Sequence, residues 1–139
     1  MKREMDPVVG NIRKEWDWVK EALEPMFEQF HWVDFRPEDV YASCLKGESI
    51  LYTTDETFAI FTIEEHPVTS KKTFLCWIAW KKKGSKDVIE KHLDFFEREG
   101  KKYKCNRIGV KTAITGVEKL LLNTGWRCDM KNFSKKIKK

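Results

Sequence analysis

Seven consecutive apolar residues, Phe74-Leu75-Cys76-Trp77-Ile78-Ala79-Trp80, run without a polar interruption into Lys81-Lys82-Lys83-Gly84-Ser85-Lys86. A strand with one wet face alternates, whereas an unbroken apolar strand has to be covered on both faces. Residues 73–80 are therefore expected at the centre of a sheet that carries helices on either side. Gly84-Ser85-Lys86 is expected to open a helix, with Val88, Ile89, His92, Leu93 and Phe96 on its inner side and Gly100 as a stop. A buried strand thus ends where a helix begins, and unsatisfied N–H groups with the helix dipole favour an anion at such a junction. Gly84 lets the backbone come close to that anion, and Lys81, Lys82, Lys83 and Lys86 add positive charge. A phosphate group is the expected guest.

The rest of the chain supplies partners for this strand. Ile12, Trp16, Val19, Leu23, Met26 and Phe30 recur at helical steps over residues 11–30, with Pro25 expected to kink or divide the helix near Leu23. Pro37-Glu38-Asp39 opens a short second helix that Gly47 ends. Strand signals at residues 49–53 and 57–64 precede the apolar strand, and their short links favour an antiparallel meander. After the third helix come a strand over residues 106–112, a helix from Thr115 carrying Val117, Leu120 and Leu121, and a strand over residues 126–133. The order ααβββαβαβ implies an α+β sandwich, a mixed central sheet with helices on both faces and a right-handed βαβ crossover.

With 139 residues, no internal repeat and no linker, one domain is expected, divided into an N-terminal helical extension (1–36), a core (37–133) and a basic tail (134–139). Six Trp and nine Phe offer more buryable surface than a disordered chain carries, despite 35% charged residues. No run approaches a membrane span and no apolar signal core follows Met1-Lys2-Arg3-Glu4, so an intracellular, cytoplasmic protein is expected. Cys44, Cys76, Cys105 and Cys128 are too scattered for a disulfide framework, and with His31, His66 and His92 they form no metal-ligand spacing. They read as thiols, and no metal is expected.

Charge is unevenly placed. The net +5 divides into −8 over residues 1–70, from 7 Lys/Arg and 15 Asp/Glu, and +13 over residues 71–139, from 20 and 7. A basic half suits an anionic small molecule, nucleic acid or an acidic partner, and Trp16, Trp18, Trp32 and Trp126 raise the alternative of a stacking surface for single strands. The G-x-x-x-x-G-K-[ST] and G-x-G-x-x-G spacings of nucleotide folds are absent.

The apolar strand, the Lys81-x-x-Gly84-x-Lys86 turn, the following helix and strand, and a last helix closed by Gly125-Trp126 resemble the GNAT superfamily of acetyltransferases, most of all its small bacteriophage-encoded members. The resemblance covers about residues 37–133. Trp16, Trp18 and Pro37-Glu38-Asp39-Val40 are also similar to the phage proteins. It implies an acyl-CoA site, with acetyl-CoA as the donor, Ile78 and Trp80 lining the pantetheine arm, and Lys82, Lys83, Gly84, Ser85 and Lys86 holding the pyrophosphate. The reaction implied is N-acetylation of an amine or a protein acceptor, in a host cytoplasm or a virion if the origin is a phage. Glu64 is the candidate base, with Glu65 and His66 beside it. The chain departs from the family pattern at Lys86, where a small residue is usual, at Ile114, where Asn often stands, and at Leu121, where a Tyr usually acts as acid. These departures raise a second reading, a GNAT-shaped protein that binds a host or virion partner without turnover.

Overall fold

The computed structural model describes residues 5–30, 34–112 and 115–138. His31, Trp32, Ile114 and Lys139 lie outside them. Helix α1 (Ile12–Gln29) starts where the Asn11 side chain accepts a hydrogen bond from the Arg13 amide. It buries Ile12, Val19 and Leu23 against sheet residues that include Leu51, Phe58, Ile60 and Ile78. Pro25 lies on its exposed side, and of the expected kink or division near Leu23 the division does not occur. Helix α2 (Pro37–Leu45) opens with proline at its first turn, and the Asp39 carboxylate accepts from the Arg36 amide at 2.8 Å.

Strands β2 (Ser49–Thr53), β3 (Thr57–Glu65) and β4 (Lys72–Lys81) form the expected antiparallel meander. A two-residue strand, β1 (Val8–Val9), adds to the free edge of β2. Two helices then cover the return to β5 (Arg107–Val110), which pairs parallel to β4. They are α3 (Val88–Lys91) and α4 (Leu93–Lys102), interrupted at His92. The sheet order is β1-β2-β3-β4-β5, and α5 (Thr115–Asn123) follows. This is the α+β sandwich anticipated above.

The sheet separates two cores. Ile12, Val19, Leu23, Val40, Leu51, Phe58, Ile60 and Ile78 meet on the α1/α2 face, and Tyr52, Ala59, Phe61, Phe74, Cys76, Val88, Ile89 and Phe96 on the α3/α4 face. β4 contributes to both, as its unbroken apolar run requires.

Two expectations are corrected at the C-terminal half. The helix anticipated to open at Gly84 begins only at Val88, because Asp87 caps it through hydrogen bonds from the Ile89 and Glu90 amides at 3.0 and 3.2 Å. The strand anticipated over residues 126–133 does not form. Of residues 126–133 only Trp126 is even half-buried, so nothing apolar holds a register against β5. Among the described residues the expected tryptophans do not form one stacking surface, Trp32 lying outside them. Trp16 and Trp18 pack on the first core and Trp126 on the second, on opposite sides of the sheet.

Candidate functional site

The parallel β4–β5 ladder runs from Thr73 opposite Arg107 to Cys76 opposite Val110 and stops there. β5 ends at Val110, while β4 continues five residues to Lys81. Where the ladder stops, the two strands leave an opening of about 350 Å³. Its floor is Cys76, Trp77, Ile78 and Ala79. One wall is Leu23, Met26 and Phe27 of α1 with Phe30 and Phe35, and the other includes Asp87, Ile89, Glu90, Leu120 and Leu121.

The floor is shaped by a β-bulge. Ile60 pairs with Ile78 and Phe61 with Cys76, so Trp77 has no partner on β3. The extra residue rotates the pleat. Trp77 and Ile78 both turn to the α1 face, while Cys76 and Ala79 face α3 and α4.

Of the residues anticipated along the pantetheine arm, Ile78 is buried in this floor. Trp80 is not part of it. Its ring stacks on Phe58, centroids 5.8 Å apart at 17°, and lies edge-on to Trp18, which makes it a core residue of the α1 face.

The anticipated phosphate turn follows at the end of β4 and leads to Asp87 in the wall. Gly84 adopts φ +88°, a left-handed conformation that a side chain would strain. Part of the turn's hydrogen-bonding capacity is taken: the Lys82 amide donates to Glu56 O at 2.8 Å, the Ser85 amide to Lys82 O at 2.9 Å, and the Ser85 hydroxyl to the Glu56 carboxylate at 2.9 Å. Ser85 therefore braces the turn. Among the described residues, the amides of Lys83, Gly84 and Lys86 donate to no other group. Those three amides and the exposed ammonium groups of Lys82, Lys83 and Lys86 are donors open to an anion, but none of residues 81–86 lines the apolar opening itself. The Asp87 carboxylate, already seated on the α3 amides, opposes an anion placed there.

Glu64 lies opposite Thr73, three residues before the end of the β4–β5 ladder, and its carboxylate pairs with Lys111 Nζ at 2.8 Å. Lys111 itself lines the opening. Glu65 is exposed, and His66 Nδ1 accepts from the Val68 and Thr69 amides, which gives the imidazole a turn-holding role. Leu121 stands in the wall. Cys76 is no nucleophile: burial, reinforced by the Asp87 charge, pushes its thiol up to about 12. Among the described residues, no three His, Cys, Asp or Glu side chains group as a metal site.

Sequence reasoning missed Asp87, Glu90, Lys111 and the aromatic wall. Asp87-Val88-Ile89-Glu90 carries the acid-x-x-Glu pattern of a helix start, which was a usable signal. Phe27, Phe35 and Trp77 come together only in three dimensions.

A mixed sheet whose parallel pair, β4–β5, parts beyond a bulge in β4 is the fold that the chain shares with solved acetyltransferases of the GNAT type. The likeness spans the whole molecule. A structure of a probable acetyltransferase superposes over 97% of this chain and 99% of its own with a TM-score of 0.70 at 16% identity. The aminoglycoside N-acetyltransferase AAC(6')-Iy, solved with a CoA-containing bisubstrate analogue, gives 0.67 at 14% identity over 98% and 99%. A ribosomal-protein-alanine N-acetyltransferase from Brucella melitensis biovar Abortus 2308 gives 0.64 at 11% over 96% and 100%. No family model and no curated protein sequence matches the chain. No described helix is long and apolar enough to cross a membrane.

Proposed function

We propose that this chain binds an acyl-CoA between β4 and β5 and transfers the acetyl group of acetyl-CoA to an amine. The observation that carries the reading is the apolar opening where the β4–β5 ladder stops, with a bulged strand as its floor, a strand that runs on into the glycine turn beyond it. In this reading Trp77, Ile78 and Ala79 run alongside the pantetheine arm, and Lys82, Lys83, Gly84 and Lys86 hold the pyrophosphate. Ser85 keeps the turn in shape through Glu56. Acetyl-CoA supplies the activated acyl group. The chain must orient the amine, take its proton and exclude water. Glu64 accepts the proton only once its pair with Lys111 opens, and with Leu121 in the wall the departing thiolate takes its proton from solvent.

A second reading rests on those same two features. A paired base and an apolar residue in place of an acid suit a protein that holds an acyl-CoA, or a host or virion partner of a phage protein, without turnover. Calorimetric titration with acetyl-CoA and with ADP separates the possibilities at the binding step. Acetyl-CoA binding well above that of ADP is expected, and equal affinity for the two removes the acyl-CoA reading. Release of CoA thiol in the presence of a panel of amines then decides for transfer; binding without release decides for the second reading.

A further inference from the structure

Independently of the opening between β4 and β5, we infer that residues 127–139 form a surface anchor, a segment that folds into a helix on an anionic phospholipid bilayer. The formal charge of +5 resides wholly in these residues, where six Lys/Arg meet one Asp, while residues 1–126 hold 21 of each sign. Long-range attraction to a polyanion therefore acts chiefly through this segment. Residues 127–138 are all exposed and form neither helix nor strand. Asp129 ties the start of the segment to β5 through Arg107 at 3.3 Å, and it also pairs with Arg127 at 2.8 Å. Beyond it, among the described residues, Lys131, Lys135, Lys136 and Lys138 pair with no carboxylate. Met130, Phe133 and Ile137 are 77%, 91% and 90% exposed, so the fold gives them no cover.

The spacing of these three points to what covers them. At about 100° per residue, steps of three and four put Met130, Phe133 and Ile137 in a helical stripe about 60° wide, with none of the six cations inside it. Arg127 and Lys136 stand about 60° beyond its two edges. A helix with this pattern lies in a lipid interface, its apolar side chains below the phosphates and the long cations beside them reaching up to the headgroups. As a helix the segment is about 20 Å long, short of the roughly 30 Å of a bilayer's core, so it lies on the surface and does not span. In water that length does not sustain a helix by itself, which agrees with the open form of residues 127–138. A nucleic acid would satisfy the cations and stack on Phe133, but it leaves Met130 and Ile137 in water, whereas a bilayer takes all three.

The test mixes the intact protein with vesicles of phosphatidylcholine, alone or with about one-third phosphatidylglycerol, and in parallel with single- and double-stranded DNA of matched phosphate content. Binding to the anionic vesicles about a hundredfold tighter than to the neutral ones is expected, with a gain in helical circular dichroism. The triple variant Met130→Ser, Phe133→Ser, Ile137→Ser keeps every charge; it is expected to weaken binding to anionic vesicles about tenfold and to change DNA binding less than about threefold. Asn132→Pro keeps both the charges and the apolar side chains but breaks the helix, and it is expected to weaken vesicle binding about as much. All four positions are exposed, so the melting temperature of each variant is expected to match that of the parent. No binding to anionic vesicles, equal binding to neutral ones, tighter binding to DNA than to anionic vesicles, or full vesicle binding by the triple variant would each overturn the inference.

Discussion

Cys76 and Tyr52 show how burial sets the chemistry of single residues. The Cys76 thiol is held as the neutral form up to about 12, chiefly by desolvation, and Cys44 up to about 11 by the same cause. Tyr52, wholly buried, is raised by desolvation and by donating its hydroxyl to Glu99 at 3.0 Å. In each case the folded state prefers the protonated group. That stabilisation is present in full below the thiols' ordinary value of 9.0 and is lost as pH rises through the folded values. Thermal melts are expected to hold steady below pH 9.0 and fall above it, with a shallower fall in Cys76→Ala. In the native protein a thiol reagent should modify exposed Cys128 first and Cys76 only after unfolding. On the proposed transferase reading, Leu121 is where a proton donor is to be introduced. If thiolate protonation limits the reaction, Leu121→Tyr should raise CoA release by about a hundredfold, measured under saturating acetyl-CoA; an unchanged rate places the limit elsewhere.

At the scale of elements, local pattern and local geometry agree for the helices but not for every boundary. The three- and four-residue spacing of Ile12, Val19 and Leu23 made α1 legible, and the structure buries all three. Pro25 misled because a proline on the exposed side of a helix costs one hydrogen bond without forcing a break when the opposite side is anchored by Leu23. Pro25→Ala should therefore stabilise the protein by about 2 kcal/mol in urea titration, less what it gains in unfolded-chain freedom. At α3, the capping carboxylate of Asp87 outweighs the glycine turn as a start signal. The 126–133 segment carried an alternating pattern, yet alternation makes a strand only beside an edge it can cover.

For the whole molecule, the sheet is shared by two cores, so neither can melt alone. Phe58 on the α1 face and Phe96 on the α4 face are both completely buried. Phe58→Ala and Phe96→Ala should each cost about 3–5 kcal/mol, with fluorescence and circular dichroism transitions that still coincide. Separate transitions would mean that the two faces unfold independently. The sequence by itself determined the order of most elements, the interior place of β4 between two other strands and the glycine turn at its end, because these follow from short-range periodicity and from residues such as Gly84 whose conformation is local. Only the tertiary structure decided where the β4–β5 ladder stops, that the bulge sends Trp77 and Ile78 to one face, that Trp80 goes to the core, and that Glu64 is claimed by Lys111. Each of these depends on register and packing between residues distant in sequence, and a one-residue change in register reverses which face a side chain meets.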